Sequence, residues 1–546
     1  MTSLDPVTLA VLKGRLEQIA DEMDALLYRS AFNPIIAEAR DACHGLYDAR
    51  TGDTLVQGTS GLPIFVGTMA FAVRAVIAKV ARDGGLEPGD TFLFNDPYLG
   101  GTHLNDMRLV RPVFRRGELF CWMASAGHWL DLGGNVPGGY NPRATESFQE
   151  GVRFPPVKLV SAGRLNTDVV DILAANSRVP GSNWGDLNGQ LNALDGGGQR
   201  FGRLLDEYGE DTVAAAFTAL SDRAEVLMRD AIRGLPDGTY SFDDVLDNDG
   251  IAEGQLAVAL DLLVEGDRLT LDFSRSAPAP AGPVNISYPT TVAACYVALK
   301  HVFTAVPANA GCLRPVTVVA PAGSMLAAEA PRPMAGYTET ILRLIGVVFG
   351  ALAQADPARA IAAPFGTINA LSMAGHRADG SRWVMFSFFG GGLGGTPAGD
   401  GLSHANNPIS TATMPPAEIL EAAYPVMFTQ WALRPGSAGA GQFRGGLGAV
   451  YEIEALSDAR VSLLGERGTA GPFGVAGGGT AALNRFTWHV GGVEHAPPMV
   501  SKVTDVALPA GGRVRLETPG GGGWGQPSAR DDSAAARDKR LGYVLS

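Results

Sequence analysis

The sequence predicts a multi-lobed α+β protein, with helices and hairpins in its N-terminal part and antiparallel β-structure in its C-terminal part. The chain has 546 residues, more than one ordinary hydrophobic core organises. Glycine accounts for 71 of them, about twice the usual share of roughly 7%, which favours tight turns over a helical bundle. Apolar residues follow helical spacing in some segments and strand spacing in others, so both element types are expected.

The low fraction of charged residues and the negative net charge restrict the kinds of partner that the chain can bind. Charged residues make up 18% of the sequence, below the usual level of about 25%, which indicates a large interior or surface buried against other subunits. The net charge of −13 argues against nucleic acid as a partner, because phosphate binding needs basic clusters. With no basic leader and no run of eighteen apolar residues, we expect a cytoplasmic protein without a membrane span.

The N-terminal elements follow from caps and periodicity. Asp5 offers an N-cap and Pro6 occupies the first helical position. A helix to about Ser30 is predicted by six apolar residues at helical spacing: Leu12, Leu16, Ile19, Met23, Leu26 and Leu27. The segments ARDACHGLYDA and TLVQG flank a turn at residues 50–53 and predict a hairpin. A second helix is predicted for VGTMAFAVRAVIAKVARD, which ends before Gly84.

The rest of the chain completes four predicted regions. Residues 1–235 end with a helical stretch that begins near residue 160. Residues 236–330 contain alternating strands joined by the turn sequences LPDG and EGDR. Residues 331–527 begin with a helix, predicted at 337–352, and continue as a glycine-rich, strand-like region. Residues 528–546 form a polar tail for which we predict mobility.

Phosphate-binding loops are missing from the sequence. Only six lysines occur, and none follows a G-x-x-x-x-G segment, so a Walker-type ATP site is excluded. Residues 390–395, GGGLGG, match the dinucleotide pattern G-x-G-x-x-G, but they lead into TPAGDGLSH instead of an apolar helix. This context argues against a dinucleotide site. If the protein uses ATP, the nucleotide is bound elsewhere.

Two of the eight histidines begin the same short pattern, His103-x-x-Asp106 and His128-x-x-Asp131. Both patterns lie symmetrically about Gly117, so an antiparallel hairpin centred there places Asp106 opposite His128 and His103 near Asp131. Opposed side chains have Cβ atoms about 4.5–5.5 Å apart, close enough to share one metal ion. A cross-strand hydrogen bond between aspartate and histidine, without a metal, fits the same spacing.

The sequence resembles the hydantoinase B/oxoprolinase family over nearly its whole length. The resemblance rests on ordered segments that include DPVTLAVLKGRLEQIADEM, ARDACHGLYDA, FNDPYLGGTHLNDMRLVRPVF, PANAGCLRP and ETPGGGGWG. It implies a metal held by the residues that match Asp41, His103, Asp106 and His128. Spacing alone does not connect Asp41 to the hairpin, and a surface ion pair is its simpler interpretation without the resemblance.

The resemblance implies the metal-containing subunit of an ATP-dependent hydrolase that acts on a lactam or hydantoin. A site of histidine and carboxylate ligands suits a divalent transition metal, zinc, manganese or iron. An ATP-binding partner of the hydantoinase A type, with magnesium, would activate the substrate by phosphorylation, and two chains of each kind would form an A2B2 assembly. Asp131, three residues after a ligand, is expected to act as a base or to orient a ligand beside the metal.

Two alternatives stay open at this point. In the first alternative, the chain would be a subunit of a carboxylase of the acetone or acetophenone carboxylase type. In the second, it would be a non-catalytic scaffold for the ATP-binding partner. Retention of all four implied ligands argues against a scaffold. The sequence departs from the family pattern at Trp129 and in the segment 335–340, AGYTET, and we expect both to influence substrate choice.

Overall fold

The computed structural model describes residues 4–544, which contain ten α-helices. They are α1 (Pro6–Ser30), α2 (Pro34–Ala37), α3 (Pro63–Asp83), α4 (Thr167–Ala175), α5 (Pro180–Tyr208), α6 (Glu210–Arg233), α7 (Tyr288–Val302), α8 (Tyr337–Ala355), α9 (Ala417–Ala423) and α10 (Asp532–Arg540). Together with the strands described next, they confirm the mixed α+β class predicted from the sequence.

The same residues contain twenty β-strands. They are β1 (Ala42–Asp48), β2 (Thr54–Gln57), β3 (Thr91–Phe94), β4 (Asp106–Arg115), β5 (Glu118–His128), β6 (Val157–Ser161), β7 (Arg164–Leu165), β8 (Gly238–Asn248), β9 (Glu253–Glu265), β10 (Arg268–Asp272), β11 (Val316–Val319), β12 (Ala370–His376), β13 (Arg382–Ser387), β14 (Val426–Leu433), β15 (Ala449–Ala455), β16 (Ala459–Leu464), β17 (Arg485–Val490), β18 (Val493–His495), β19 (Lys502–Leu508) and β20 (Arg513–Glu517). Four sheets result, with the orders β2-β1-β5-β4-β3-β6-β7, β11-β10-β9-β8, β13-β12-β16-β19 and β14-β15-β20-β17-β18.

The seven-stranded sheet separates two hydrophobic cores, because successive side chains of a strand point to opposite faces. On β1, Cys43 and Tyr47 belong to the core that includes residues of α3. Ala42 and Leu46 belong to the other core, which α1 and α5 cover. The strands that carry the candidate site are therefore covered by helices on both faces.

The larger core crosses the predicted domain boundaries. It contains Phe65 from the first predicted region, Leu260 from the second and Leu344 from the third. Helix α8 contributes most of its residues to this core and packs against α7, β8 and β9. The four regions stay a prediction, but the first three share one interior. An interior of this size is consistent with the low charged fraction.

Most predicted N-terminal elements are confirmed. Helix α1 begins after Asp5, whose carboxylate accepts hydrogen bonds from the first-turn amides, and ends at Ser30. The β1–β2 hairpin and the end of α3 before Gly84 are also as predicted. The helical stretch expected from residue 160 begins only at Thr167, because β6 and β7 occupy the preceding residues. The N-terminal part thus holds the largest sheet of the protein, which a description as helices and hairpins understates.

The prediction of a mobile tail is wrong for residues 532–540, which form α10. Its buried Asp538 accepts hydrogen bonds from Arg444 at 3.2 Å and from Arg530 at 2.6 Å. Polar composition indicated mobility because one of these ion-pair partners, Arg444, lies 94 residues before Asp538 and is not visible in the tail sequence.

Two helices, α3 and α8, are long and apolar enough to cross a membrane by length and composition alone. Within the fold, 44% of the apolar window of α3 and 89% of that of α8 are buried. Packing in the protein core explains the apolar composition of α8, since a helix surrounded by protein is apolar on all sides.

The glycine-rich segments of the C-terminal part pack backbone against backbone. Gly446 donates its amide to Leu393 O at 2.8 Å, and Gly521 donates to Gly446 O at 3.0 Å. A Cβ on Gly445 would lie 1.8 Å from the carbonyl oxygen of Gly521. Chains approach this closely only without side chains. The GGGLGG segment therefore serves this packing, which accounts for its chance match to a dinucleotide loop.

Gly445→Ala is expected to destabilise the protein, because the added Cβ would collide with a backbone oxygen that cannot rotate away. We expect the free energy of unfolding to fall by about 1–3 kcal/mol or more, as measured by chemical denaturation. Gly14→Ala is the matched control. Gly14 lies on the exposed side of α1 with no atom within 4 Å of an added Cβ, so alanine there should stabilise by up to about 1 kcal/mol. Equal stability of the two variants would contradict the packing argument.

Candidate metal centre and its surroundings

The candidate site lies at the open end of the β4–β5 hairpin. Arg116 and Gly117 form the turn with φ of 50° and 85°, as a two-residue type I′ hairpin turn requires. The ladder then shifts by one residue at a β-bulge and ends with Asp106 opposite His128. The predicted facing of these two residues is confirmed. The bulge is essential, since an unshifted ladder from this turn would place Asp106 opposite residue 127.

Strand β1 brings Asp41 to the same edge of the sheet. Ala42 lies opposite Gly127 in the antiparallel pairing of β1 with β5. The carbonyl of Asp41 accepts a hydrogen bond from the His128 amide at 3.1 Å. Among residues 4–544, Oδ1 of Asp41 is buried without a hydrogen-bond partner. Spacing could not reveal this neighbour, because other elements separate β1 from β5 along the chain.

Three donor atoms converge on one point: Nε2 of His103, Oδ1 of Asp106 and Nδ1 of His128. The carboxylate oxygen lies 3.0 Å from the His103 nitrogen and 3.1 Å from the His128 nitrogen, and the two nitrogens are 3.3 Å apart. Donors bound to one ion at about 2.1 Å lie about 3.0 Å apart at right angles and about 3.4 Å apart at tetrahedral angles. The spacing of the three donors therefore fits a transition metal.

Burial and mutual contact determine the charge states of this set. Burial lowers the pKa of His103, which favours the neutral imidazole that can act as a ligand. Burial alone would raise the pKa of Asp106, but the two imidazoles outweigh it and hold the pKa below its usual range. Burial opposes protonation of His128, yet the hydrogen bond to Asp106 and the charge of Asp41 raise its pKa. Burial raises the pKa of Asp41 to about 7 against the influence of His128. A bound cation would favour the deprotonated forms of all four groups.

Neighbouring polar groups fix the donors in place. Thr102 donates its hydroxyl to Oδ2 of Asp106, which leaves Oδ1 directed at the two histidines. The buried Arg108 donates to the backbone oxygen of Asp106 at 2.7 Å and to the Thr102 hydroxyl at 2.9 Å. Asn33 donates to the backbone oxygen of His128 at 2.8 Å. Such contacts hold ligand side chains in orientation.

Trp129, flagged as a departure from the family pattern, anchors the strand end on α5. Its indole Nε1 donates to Oε1 of Gln190 at 2.9 Å. Gln190 in turn donates to the carbonyl of Met107 at 3.2 Å. One helical side chain thus contacts the residues that follow His128 and Asp106. The influence of Trp129 on substrate choice stays a prediction.

Asp131 does not pair with His103, contrary to the geometry expected from the hairpin. The ladder ends at Asp106 and His128, so extrapolating its pairing beyond the strands fails. Asp131 accepts hydrogen bonds from the amides of Gly133 and Gly138 and from the guanidinium of Arg178 at 2.9 Å. These contacts make it an anchor for the loop after β5. Its predicted role as a base stays untested.

Aromatic rings enclose the donors on their open side. The ring of Tyr337 lies 4.8 Å from that of His103, and the ring of Phe386 lies 5.1 Å from that of His128. Tyr140 stacks on Phe386 at 4.7 Å. A small cavity of about 30 Å³ adjoins these rings; its lining includes Asp41, Ile64, Tyr140, Tyr337, Thr338 and Phe386. The segment 335–340, also flagged from the sequence, therefore lies at the site.

Several residues of the site were not predicted from the sequence. Arg108 carried a usable signal, because it follows Asp106 by two positions and so lies on the same face of β4. Tyr140, Phe386 and Gln190 carried none, since other parts of the chain bring them to the hairpin.

Comparison with known proteins identifies the family. Residues 5–527 match the family model described as hydantoinase B/oxoprolinase. The chain belongs to the hydantoinase B/oxoprolinase family. This confirms the resemblance inferred from the ordered segments of the sequence.

Named relatives of this family member extend the comparison. The caprolactamase subunit beta of Pseudomonas jessenii is 34% identical over 561 residues, covering 100% of this chain and 95% of the relative. A crystal structure of ATP-dependent caprolactamase from the same organism has a TM-score of 0.92 at 31% identity, covering 100% of this chain and 95% of that one. A nucleotide-free acetone carboxylase structure has a TM-score of 0.91 at 20% identity, covering 99% and 78%. At that identity the likeness shows a shared fold.

Removal of either histidine donor should empty the metal site. We expect roughly one transition metal per purified chain, and we expect its loss in His103→Ala and in His128→Ala, because too few ligands remain to hold the ion. Elemental analysis by mass spectrometry measures this directly. His495→Ala, an exposed histidine, is the matched control and should keep full metal content. Full metal content in both site variants would refute the metal centre.

The Asp131→Asn variant should distinguish a structural role of Asp131 in holding the loop after β5 from a role as a catalytic base. The contacts with Arg178 and the two glycine amides predict a loss of about 1–3 kcal/mol in unfolding free energy, because one acceptor oxygen becomes an NH2 donor and the negative charge beside Arg178 is lost. Metal content should not change. The measurements are denaturation and elemental analysis on the same samples. Unchanged stability with turnover slowed by about 10²–10⁴-fold would instead support the base role.

Proposed function

We propose that this chain is the metal-bearing subunit of an ATP-dependent hydrolase of cyclic amides, with a lactam or a hydantoin as substrate. One observation carries the proposal: the buried donor set of His103, Asp106 and His128 occurs in a chain similar over its full length to a caprolactamase subunit. Asp41 is the proposed fourth ligand, because its unpaired Oδ1 lies at the same strand edge.

The proposed metal is zinc, manganese or iron, which suit a mixed histidine and carboxylate set. Such an ion would supply a Lewis acid that polarises a carbonyl group or activates water. Tyr140, Tyr337 and Phe386 form a largely apolar wall beside it, suited to the methylene groups of a ring. Burial raises the pKa of both tyrosines well above the usual value, so each phenol stays neutral and can donate a hydrogen bond.

The proposed ATP site lies on a partner chain. This chain has no Walker loop, and the relatives are named as a beta subunit and as an ATP-dependent enzyme. Resonance makes an amide carbon a poor electrophile, and transfer of the γ-phosphoryl group of ATP to the amide oxygen removes that protection. An A-type partner with magnesium would perform the transfer, in an A2B2 assembly in the cytoplasm.

Reconstitution with an A-type partner tests this function. Caprolactam, hydantoin and 5-oxoproline are supplied with ATP and magnesium, and ring-opened product and ADP are quantified by mass spectrometry. We expect ring opening that requires both chains and ATP, and we expect no ATP binding by the isolated chain in calorimetry. Asp106→Asn should abolish turnover in the same complex, whereas His495→Ala should not.

Two outcomes would replace the proposal. Carboxylation of acetone or acetophenone with bicarbonate, in place of ring opening, would identify a carboxylase subunit. Full ring-opening activity in Asp106→Asn would leave this chain a scaffold and place the chemistry on the partner.

A further inference from the structure

A second and much larger cavity lies against the sheet β13-β12-β16-β19. Its volume is about 540 Å³, within the range of roughly 300–1,000 Å³ that is usual for small-molecule sites. The four strands of this sheet supply most of its lining, and Pro137 and Arg178 add residues from the N-terminal part. The proposed function assigns no role to this cavity. Four of its lining residues oppose one another in a single row across the sheet: Val384, Ala374, Arg460 and Ala507.

Part of the lining is apolar and buried. Ala374 is 7% exposed, Val384 2% and Leu508 0%. Pro137 and Pro509 add further apolar surface. Such a lining favours a ligand with a hydrocarbon body, because binding removes the apolar surface of both ligand and cavity from water.

The charged side chains of the lining are mostly cationic. Among residues 4–544, Arg178, Arg382 and Arg460 line the cavity together with one carboxylate, that of Asp458. Arg178 and Arg460 each pair with an aspartate outside the lining. Arg382 is exposed; its backbone carbonyl accepts a hydrogen bond, but its guanidinium pairs with no carboxylate of the described residues. A cation is therefore available for an anionic ligand.

One loop contributes to the walls of both this cavity and the small cavity beside the metal donors. Pro137 lines the large cavity, and Tyr140, three residues later, lines the small one. Between them, Gly138 has φ of 80° and packs directly on β12, since an added Cβ would lie 2.6 Å from the hydroxyl of Ser372. The two cavities are thus neighbours that differ greatly in size.

We propose that the large cavity is a second ligand site, which takes a small organic carboxylate with an apolar body. The buried apolar residues cover the hydrocarbon, and the guanidinium of Arg382 pairs with the carboxylate through two parallel hydrogen bonds. A neutral cyclic amide lacks the charge, and a short carboxylate lacks the hydrocarbon, so neither meets both requirements. The inference goes beyond the proposed function, because it needs neither ATP nor a ring-opening step.

Titration of the metal-loaded, full-length chain by calorimetry tests the ligand class. The probes are hexanoate, acetate and hexanamide. Acetate keeps the charge without the hydrocarbon chain, and hexanamide keeps the chain without the charge. We expect hexanoate to bind about tenfold or more tightly than either, because only hexanoate satisfies both parts of the lining.

Two variants assign the binding to this cavity. Ala507→Trp fills space at the lining, and Ala507 is exposed, so the larger side chain needs no room in the core. It should weaken hexanoate binding about tenfold or more, because the hydrocarbon loses its place. Arg382→Gln should weaken binding about threefold or more, because an exposed charge pair is lost. Ala215→Trp and Arg223→Gln, at exposed positions of α6, are the matched controls and should change nothing.

Metal content is measured on the same samples, because a carboxylate also binds metal ions. Loss of hexanoate binding in Ala507→Trp at unchanged metal content supports the cavity. Binding that survives in Ala507→Trp but disappears in His103→Ala would place the carboxylate at the metal and overturn the proposal.

Three further outcomes would also overturn it. They are a hexanoate dissociation constant weaker than about 10 mM for the natural chain, equal binding of the three probes, and unchanged affinity in both Ala507→Trp and Arg382→Gln. Ring opening is not a readout in these titrations, so failure of the proposed function leaves their result intact.

Discussion

The antiparallel ladder between β4 and β5 positions the candidate ligands, and the rest of the site depends on it. Its register places Asp106 opposite His128 only because a β-bulge adds one residue to β5. A slip of one residue would turn these side chains to the other face of the sheet. Strand β1 contributes to the same edge, because its pairing with β5 brings Asp41 into contact with the His128 backbone. Helices on both faces of the sheet keep this register from shifting.

Burying this ligand set is costly without a cation. His103, Asp106 and His128 are each at most 2% exposed, and partially satisfied buried polar groups destabilise a fold. The structure nevertheless holds the set rigidly through Thr102 and Arg108. Ionisable groups held in costly buried positions are candidates for a functional site.

Helix α8 connects the site to a buried network of charges in the C-terminal part. Its Arg343 pairs with Asp244 at 3.3 Å, and Glu466 pairs with the buried Lys502. Glu466 also lies 3.7 Å from Arg343, so both pairs join α8, through this one residue, to separate segments of the chain. Breaking one partner of such a buried pair leaves an uncompensated charge. The position of the α8 N-terminus at the cavity therefore depends on residues remote from the donors.

The sequence by itself determined the class of fold, the family and the facing of Asp106 and His128 in the hairpin. Helix caps, hydrophobic periodicity and the spacing of residues about a turn are local signals. They predict structure that is formed by hydrogen bonds between residues close in sequence. Only the tertiary structure placed Asp41 at the same edge of the sheet and paired Asp131 with Arg178. It also brought the aromatic rings and the N-terminus of α8 to the cavity. These contacts join segments far apart in the chain. Their register comes from packing over the whole sheet and core, a constraint that no single stretch of sequence contains.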